Sequence, residues 1–164
     1  MPSECRVQDN VLQCSFPADP ANVEHVMDKL KSIPSLVEKD KIFFDLCLVL
    51  REALNNAIVH GACNDITKTI ECLVTIDPGS INIVVISPGQ GFEWEKRLTK
   101  DLSDSPAQSG WGIFLIQEYT DHLSFKDSGK RLECRINMDR YQGKDAKFSS
   151  LGGRSQIWGA KNET

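Results

Sequence analysis

The sequence predicts a two-layer α/β (α+β) sandwich, with a mixed, largely antiparallel sheet covered by helices on one face. Three observations predict it. Two amphipathic stretches with helical spacing lie before Gly61. Two pairs of short apolar segments follow, each pair joined by a turn that contains glycine. Between these pairs runs a charged segment too polar to enter a core. The chain has 164 residues, 40% hydrophobic and 26% charged, which fits one globular unit. A chain of that length buries roughly 70% of its unfolded surface without needing staples.

Element by element, Val11 to Phe16 reads as the first strand, closed by Pro17 and the Asp19-Pro20 pair. Asp19 is placed to cap a helix with Pro20 in its first turn, where a missing N–H costs nothing. Val23, Val26, Met27 and Leu30 carry that helix to about Lys31, and Pro34 punctuates its end. A second helix covers Asp40 to His60 and stops at Gly61. Phe43, Leu46, Cys47, Leu50, Leu54, Ala57 and Ile58 form its apolar stripe. Strands Thr69 to Ile76 and Ile81 to Ser87 turn through Asp77-Pro78-Gly79-Ser80. The segment Glu93 to Gln108 reads as a mobile loop, and Ser109-Gly110-Trp111-Gly112 leads into a helix from Ile113 to about Thr120. A last hairpin, Leu123 to Lys126 and Arg131 to Met138, turns through Asp127-Ser128-Gly129-Lys130. The order is β-α-α-β-β-loop-α-β-β. Residues 1–140 make one domain, and 141–164, rich in Gly, Ser and Lys, read as a flexible tail in which Trp158 is a candidate partner contact.

Several functions are excluded at this level. With 19 Lys+Arg against 23 Asp+Glu the net charge is -4, so bulk charge does not hold the chain on nucleic acid. Its longest strongly apolar stretch, Ile42 to Leu50, is interrupted by Asp45 and too short to span a bilayer. The N-terminus MPSECRVQDN has no apolar core of a secretory signal, which gives the expectation of a cytoplasmic protein. Cys5, Cys14, Cys47, Cys63, Cys72 and Cys134 contain no C-x-x-C and no zinc-like spacing, so all six are expected as free thiols.

Three segments could carry chemistry. On the second helix Glu52, Asn56 and His60 are four residues apart and align along one stripe. A carboxylate and a carboxamide one turn apart can share a target, the amide on a metal and the carboxylate on a hydroxyl; a solvated helix face is the plainer reading of that stripe alone. Ser87-Pro88-Gly89-Gln90-Gly91-Phe92 follows an apolar strand, and its paired glycines let backbone approach a ligand, or simply make a turn. Gly110-Trp111-Gly112 opens a helix whose first N–H groups suit a phosphate, and a capped tight turn is again the plainer reading. Lys96, Arg97 and Lys100 read as a solvated cluster in the polar loop.

In order, E-A-L-N-N-A-I-V-H-G, then S-P-G-Q-G-F, then a polar loop and S-G-W-G-I-F-L-I resemble the GHKL superfamily, whose members include histidine kinases. The likeness covers about residues 10 to 140. The small size, the short loop and T-D-H-L-S-F resemble more narrowly the RsbW-type anti-sigma factors, serine/threonine kinases that also sequester a sigma factor. That resemblance implies a Bergerat-type ATPase fold with ATP and Mg²⁺ as cofactors. It implies Glu52 as general base, Asn56 as the Mg²⁺ ligand, and Gly89 and Gly91 against the nucleotide. Gly110, Trp111 and Gly112 would form the phosphate cradle, and Glu93 to Gln108 the lid. The implied partners are a sigma factor, an anti-anti-sigma (STAS-domain) protein and a second copy in a homodimer, with no direct nucleic acid and no membrane. A sensor histidine kinase is disfavoured, because no phospho-acceptor helix pair precedes the domain.

One departure stands out. The family's first glycine box begins with an aspartate that accepts from the adenine amino group, and here that position is Ser87. A neutral acceptor contributes about 1 kcal/mol against ~1.5–3 for a charged one, so nucleotide affinity is expected to fall by roughly tenfold. The alternative expectation is a kinase-deficient module that regulates by docking alone.

Overall fold

The structure, a computed structural model, describes residues 3–36, 39–91 and 111–141. The expected lid, Gly110, the Lys96-Arg97-Lys100 cluster and the tail from 142 onward lie outside those residues. Six strands form one sheet: β1 (Glu4–Gln8), β2 (Val11–Pro17), β3 (Thr69–Ile76), β4 (Ser80–Ile86), β5 (His122–Lys126) and β6 (Arg131–Asn137). Their spatial order is β1-β2-β3-β4-β6-β5. Every pairing among the described residues is antiparallel.

Register explains why one face is dry. Cys5, Cys14, Cys72, Val85, Leu132 and Phe125 stand opposite one another in a single row across all six strands. Because strand side chains alternate, that row fixes the neighbours Leu12, Phe16, Ile70, Val74, Ile81, Ile83 and Ile136 on the same face, and all of them are buried. The opposite face carries Gln13, Glu71, Asn82, Arg135 and other polar groups, with Leu73 half-exposed among them. Each core Leu, Ile or Phe buried this way contributes about 1.5–3 kcal/mol.

Three helices cover the dry face: α1 (Ala21–Leu30), α2 (Asp40–Asn56) and α3 (Trp111–Tyr119). In α1 the predicted stripe Val23, Val26, Met27 and Leu30 is buried, and Asp19 accepts from the Ala21 N–H at 2.9 Å. The stripe of α2 is rotated from the predicted one. Ile42, Val49 and Ala53 are buried with Leu46, Leu50 and Leu54, whereas Phe43 and Cys47 pack only partly. The reason is that α3 lies along α2 as well as the sheet beneath it, so two neighbours widen the buried face.

Two expectations are corrected here. Strand β1 was not legible, and with it went the pairing of two cysteines. Cys5 and Cys14 are directly opposed across β1 and β2, with Cα atoms 4.1 Å apart, and form a disulfide. The free-thiol expectation therefore fails for this pair and holds for Cys47, Cys63, Cys72 and Cys134. Burial pushes the Cys72 and Cys134 thiols up to about 12, so both behave as small apolar groups. Among the described residues no helix is long and apolar enough to cross a membrane.

Candidate functional site

Helix α2 supplies the first half of the site. Glu52 and Asn56 lie one turn apart near its C-terminal end, both half-buried. Arg51, the adjacent cation, is committed elsewhere: it pairs with Glu24 of α1 and holds that carboxyl below its usual range through the hydrogen bond they share. The Glu52 carboxylate reaches toward α3.

Helix α3 meets that charge with a glycine. From Trp111, where the described residues resume, the chain is already helical, so Trp111 and Gly112 lie within the helix rather than before it. A Cβ on Gly112 would stand 2.7 Å from Glu52 Oε2, 3.3 Å from Asn56 Nδ2 and 3.5 Å from Asn56 Oδ1. The missing side chain lets the Glu52 carboxylate and the Asn56 carboxamide lie directly over the backbone of α3 at Gly112. Asn56 Nδ2 is buried and has no hydrogen-bond partner among the described residues. A buried donor without a partner costs about 1–3 kcal/mol, so Nδ2 is placed to donate to an acceptor beyond the described residues. Trp111 is half-exposed and meets Phe114 edge-on, with ring centroids 5.9 Å apart.

Beyond Asn56 the helix changes pitch. Ala57–Gly61 form a π-helical turn in which the Ala62 N–H donates to the Ala57 carbonyl at 2.8 Å. Such turns are often found at functional sites. Here it sets Gly61 hard against the loop after β4. A Cβ on Gly61 would overlap Ser87 Oγ and Cβ, and one on Gly89 would lie 2.5 Å from the Gly61 carbonyl oxygen. Gly61 is thus needed for space, and the expected role as a left-handed helix stop does not apply: its φ is not among the positive ones.

The loop itself, Ser87 to Gly91, makes the second half. Gly89 and Gly91 have φ of 113° and 81°, a backbone that L side chains rarely adopt. Ser87 is buried, and its Oγ donates to the Lys130 carbonyl at 3.3 Å, beside the Ser87 N–H that donates to the same oxygen at 2.9 Å. With its proton used in this way, the hydroxyl has only lone pairs left to offer a ligand.

Of the predicted site residues, Glu52, Asn56 and Gly112 are brought together, and Ser87, Gly89 and Gly91 form a second group tied to the first through Gly61. Sequence reasoning did not find Gly61 as a contact, nor the turn around Lys130. The His-Gly pair that ends the second helix was the available signal for Gly61. The side-chain chemistry suits Mg²⁺ held on phosphates, with Asn56 Oδ1 and a neighbouring carboxylate as oxygen ligands rather than an all-protein cage, while the Asn56 Nδ2 donor suits a phosphate oxygen. Among the described residues no group of three or more His, Cys, Asp or Glu could hold a metal alone.

Residues 16–136 match the family model described as histidine kinase-like ATPase domain. No curated protein matches the chain closely enough to add a relative.

Proposed function

The chain belongs to the histidine kinase-like ATPase family, and from that premise we propose that it is an ATP-dependent anti-sigma factor, a cytoplasmic protein serine/threonine kinase. It binds a sigma factor and phosphorylates a Ser or Thr of an anti-anti-sigma (STAS-domain) partner, acting as a homodimer. The observation that carries the catalytic part is the close approach of Gly112 to Glu52 and to the unpartnered amide of Asn56. Together these residues set a carboxylate and an amide beside the Gly112 backbone, and the Gly110-Trp111-Gly112 box would present backbone N–H groups that favour phosphate.

In the proposed reaction Glu52 accepts the proton of the attacking hydroxyl as its oxygen bonds to the γ-phosphorus. The bond from that phosphorus to the bridging oxygen breaks, and ADP departs with the electron pair. Asn56 would hold Mg²⁺ on the triphosphate, and the ion supplies neutralisation of the phosphate charge. The first turn of α3 binds phosphate oxygens through its backbone, with Gly112 keeping Glu52 and Asn56 within reach. Gly89 and Gly91 let the loop after β4 lie against the nucleotide. Positioning and charge carry this chemistry, which is why it asks so few side chains of the protein.

A second reading has one observation in its favour: Ser87, a neutral acceptor, stands where the family has an acid. On that reading the fold regulates by docking alone. Isothermal titration with Mg·ATP and Mg·ADP separates the two. Micromolar binding, followed by phosphate transfer to a STAS-domain partner, is the expected result. No binding up to millimolar nucleotide by a folded protein would overturn the kinase reading and leave the docking module.

A further inference from the structure

The turn between β5 and β6 is more strained than its task as a connection explains. Asp127, Ser128 and Gly129 all hold left-handed backbone, with φ of 52°, 56° and 86°. For Asp and Ser that geometry crowds Cβ against the following carbonyl, and an Asn-Gly pair would join two antiparallel strands at lower steric cost. Both non-glycine side chains are exposed, so their packing offsets nothing.

What the turn does touch is the loop after β4. The Ser128 carbonyl oxygen occupies the place where a Cβ on Gly91 would stand, and Lys130 Cγ lies 3.4 Å from that same point. The Lys130 carbonyl accepts from both the N–H and the Oγ–H of Ser87. The turn therefore hydrogen-bonds the first residue of the Ser87–Gly91 loop and packs directly against its last. It does so chiefly through backbone carbonyls, whose positions are set by φ and ψ rather than by side-chain identity. On the other side the end of α2 holds the same loop at Ser87 and Gly89 through Gly61.

We infer that Asp127–Lys130 is a positioning element of the nucleotide site, which clamps the glycine loop against the end of α2 and so sets nucleotide affinity. The inference rests on the ATP-binding reading above and adds to it a segment that none of the three sequence motifs contains. The left-handed turn is kept because only that path brings the Ser128 carbonyl under Gly91 while the Lys130 carbonyl reaches Ser87.

The test is isothermal titration of the full chain with Mg·ATP and Mg·ADP. Ser128→Gly keeps the carbonyl and suits the backbone, so its Kd should stay within about twofold of wild type. Ser128→Pro forces φ to about −65° and swings the carbonyl away, and should weaken both nucleotides about tenfold. Because the proline variant could fail to fold, a second variant replaces Asp127-Ser128-Gly129 with Asn-Gly, and circular dichroism verifies the fold of each. The deciding readout is coupling. Gly91→Ala carries the strain of its φ of 81° in either background. Only the part of its loss due to the Ser128 carbonyl should vanish, so it should weaken binding clearly less with the shortened turn than with the native one. A turn that only stabilises the fold would lower the melting temperature, leave Kd unchanged and make the two losses additive, which overturns the inference. If wild type binds neither nucleotide, the ATP reading fails and the inference falls with it; if wild type binds and Ser128→Pro binds equally well, the inference alone falls.

Discussion

The two ends of α2 pose the same physical problem and answer it differently. Near its start, Asp45 is buried, and its Oδ2 accepts from the Tyr141 hydroxyl at 2.7 Å. Eleven residues on, about 16 Å along the axis, Asn56 has a buried Nδ2 with no partner among the described residues. At the first end the chain supplies the missing group itself: the short helical segment Met138–Tyr141 folds across, and Arg140 donates to the Tyr119 carbonyl at 2.9 Å to fix it there. At the second end the nearest element withdraws its side chain, because Gly112 offers only backbone. A satisfied buried polar group marks a joint, whereas an unsatisfied one beside a glycine marks a place for a ligand. The cavity of about 640 Å³ by Asp45, Phe44, Glu118 and Tyr141 lies at the joint, so its size alone does not identify the functional end.

The largest effect expected from breaking this contrast comes at the open end. Glu52→Ala should lower phosphate transfer to a STAS-domain partner by about 10²–10⁴-fold, the usual worth of a general base. Nucleotide affinity, measured by titration, should change little, because in the proposed reaction the carboxylate serves the attacking hydroxyl. Loss of both together would mean that Glu52 is part of the nucleotide cradle instead.

At the closed end Tyr141→Phe turns the joint into a copy of the open site. Asp45 stays buried without its donor, which should cost about 1–3 kcal/mol in chemical denaturation while nucleotide affinity is unchanged. The pH dependence gives a second readout. Burial, then the hydrogen bond to Asp45, raises the Tyr141 hydroxyl well above its usual value near 10. The folded state therefore keeps a proton that the unfolded chain gives up first. Its contribution is full below pH about 10 and declines as pH rises beyond that, a decline that Tyr141→Phe should abolish.

Filling the open end is the converse experiment. Gly112→Ala puts a methyl 2.7 Å from Glu52 Oε2, so the carboxylate has to move. Alanine also favours a helix over glycine by about 1 kcal/mol. The expected outcome is a protein at least as stable as wild type in thermal melts, with nucleotide affinity and transfer down about tenfold. Equal losses of stability and activity would instead mean that the helices had been forced apart.

Much of this contrast was legible in the sequence, for identifiable reasons. Glu52 and Asn56 were readable because helical spacing alone puts residues four apart on one stripe, and the glycine pairs because they interrupt apolar runs. Strand β1 was not, since Glu4, Arg6 and Gln8 face solvent and leave only Cys5 and Val7 to signal an inner face. The Cys5–Cys14 disulfide was hidden for the same reason: without the strand there is no register to oppose the two residues. Tyr141 and Asp45 are 96 positions apart, and no local pattern announces a contact between them. Gly61 was read as a stop signal, the commonest local reason for a glycine after a helix. The reason here is tertiary, the close approach of Ser87, which no window of sequence contains.

The smallest expected effect is at Ser87, and it sharpens the comparison most. The Lys130 carbonyl already accepts a good bond from the Ser87 N–H at 2.9 Å, and the second one from Oγ is longer, at 3.3 Å. Removing the hydroxyl in Ser87→Ala leaves no buried group without a partner, so stability should change by less than about 1 kcal/mol. The remaining consequence is for the ligand. A hydroxyl whose proton is engaged can only accept, so it favours a base that presents an amino group over one that presents a carbonyl. Ser87→Ala should therefore narrow the preference for Mg·ATP over Mg·GTP, by about threefold to tenfold in the ratio of Kd values, while ADP and ATP weaken in parallel. An unchanged ratio would assign Ser87 to packing against Gly61 alone. Both ends of α2 would then differ only in whether the chain closes them, and base selection would rest on the shape of the glycine loop rather than on a side chain.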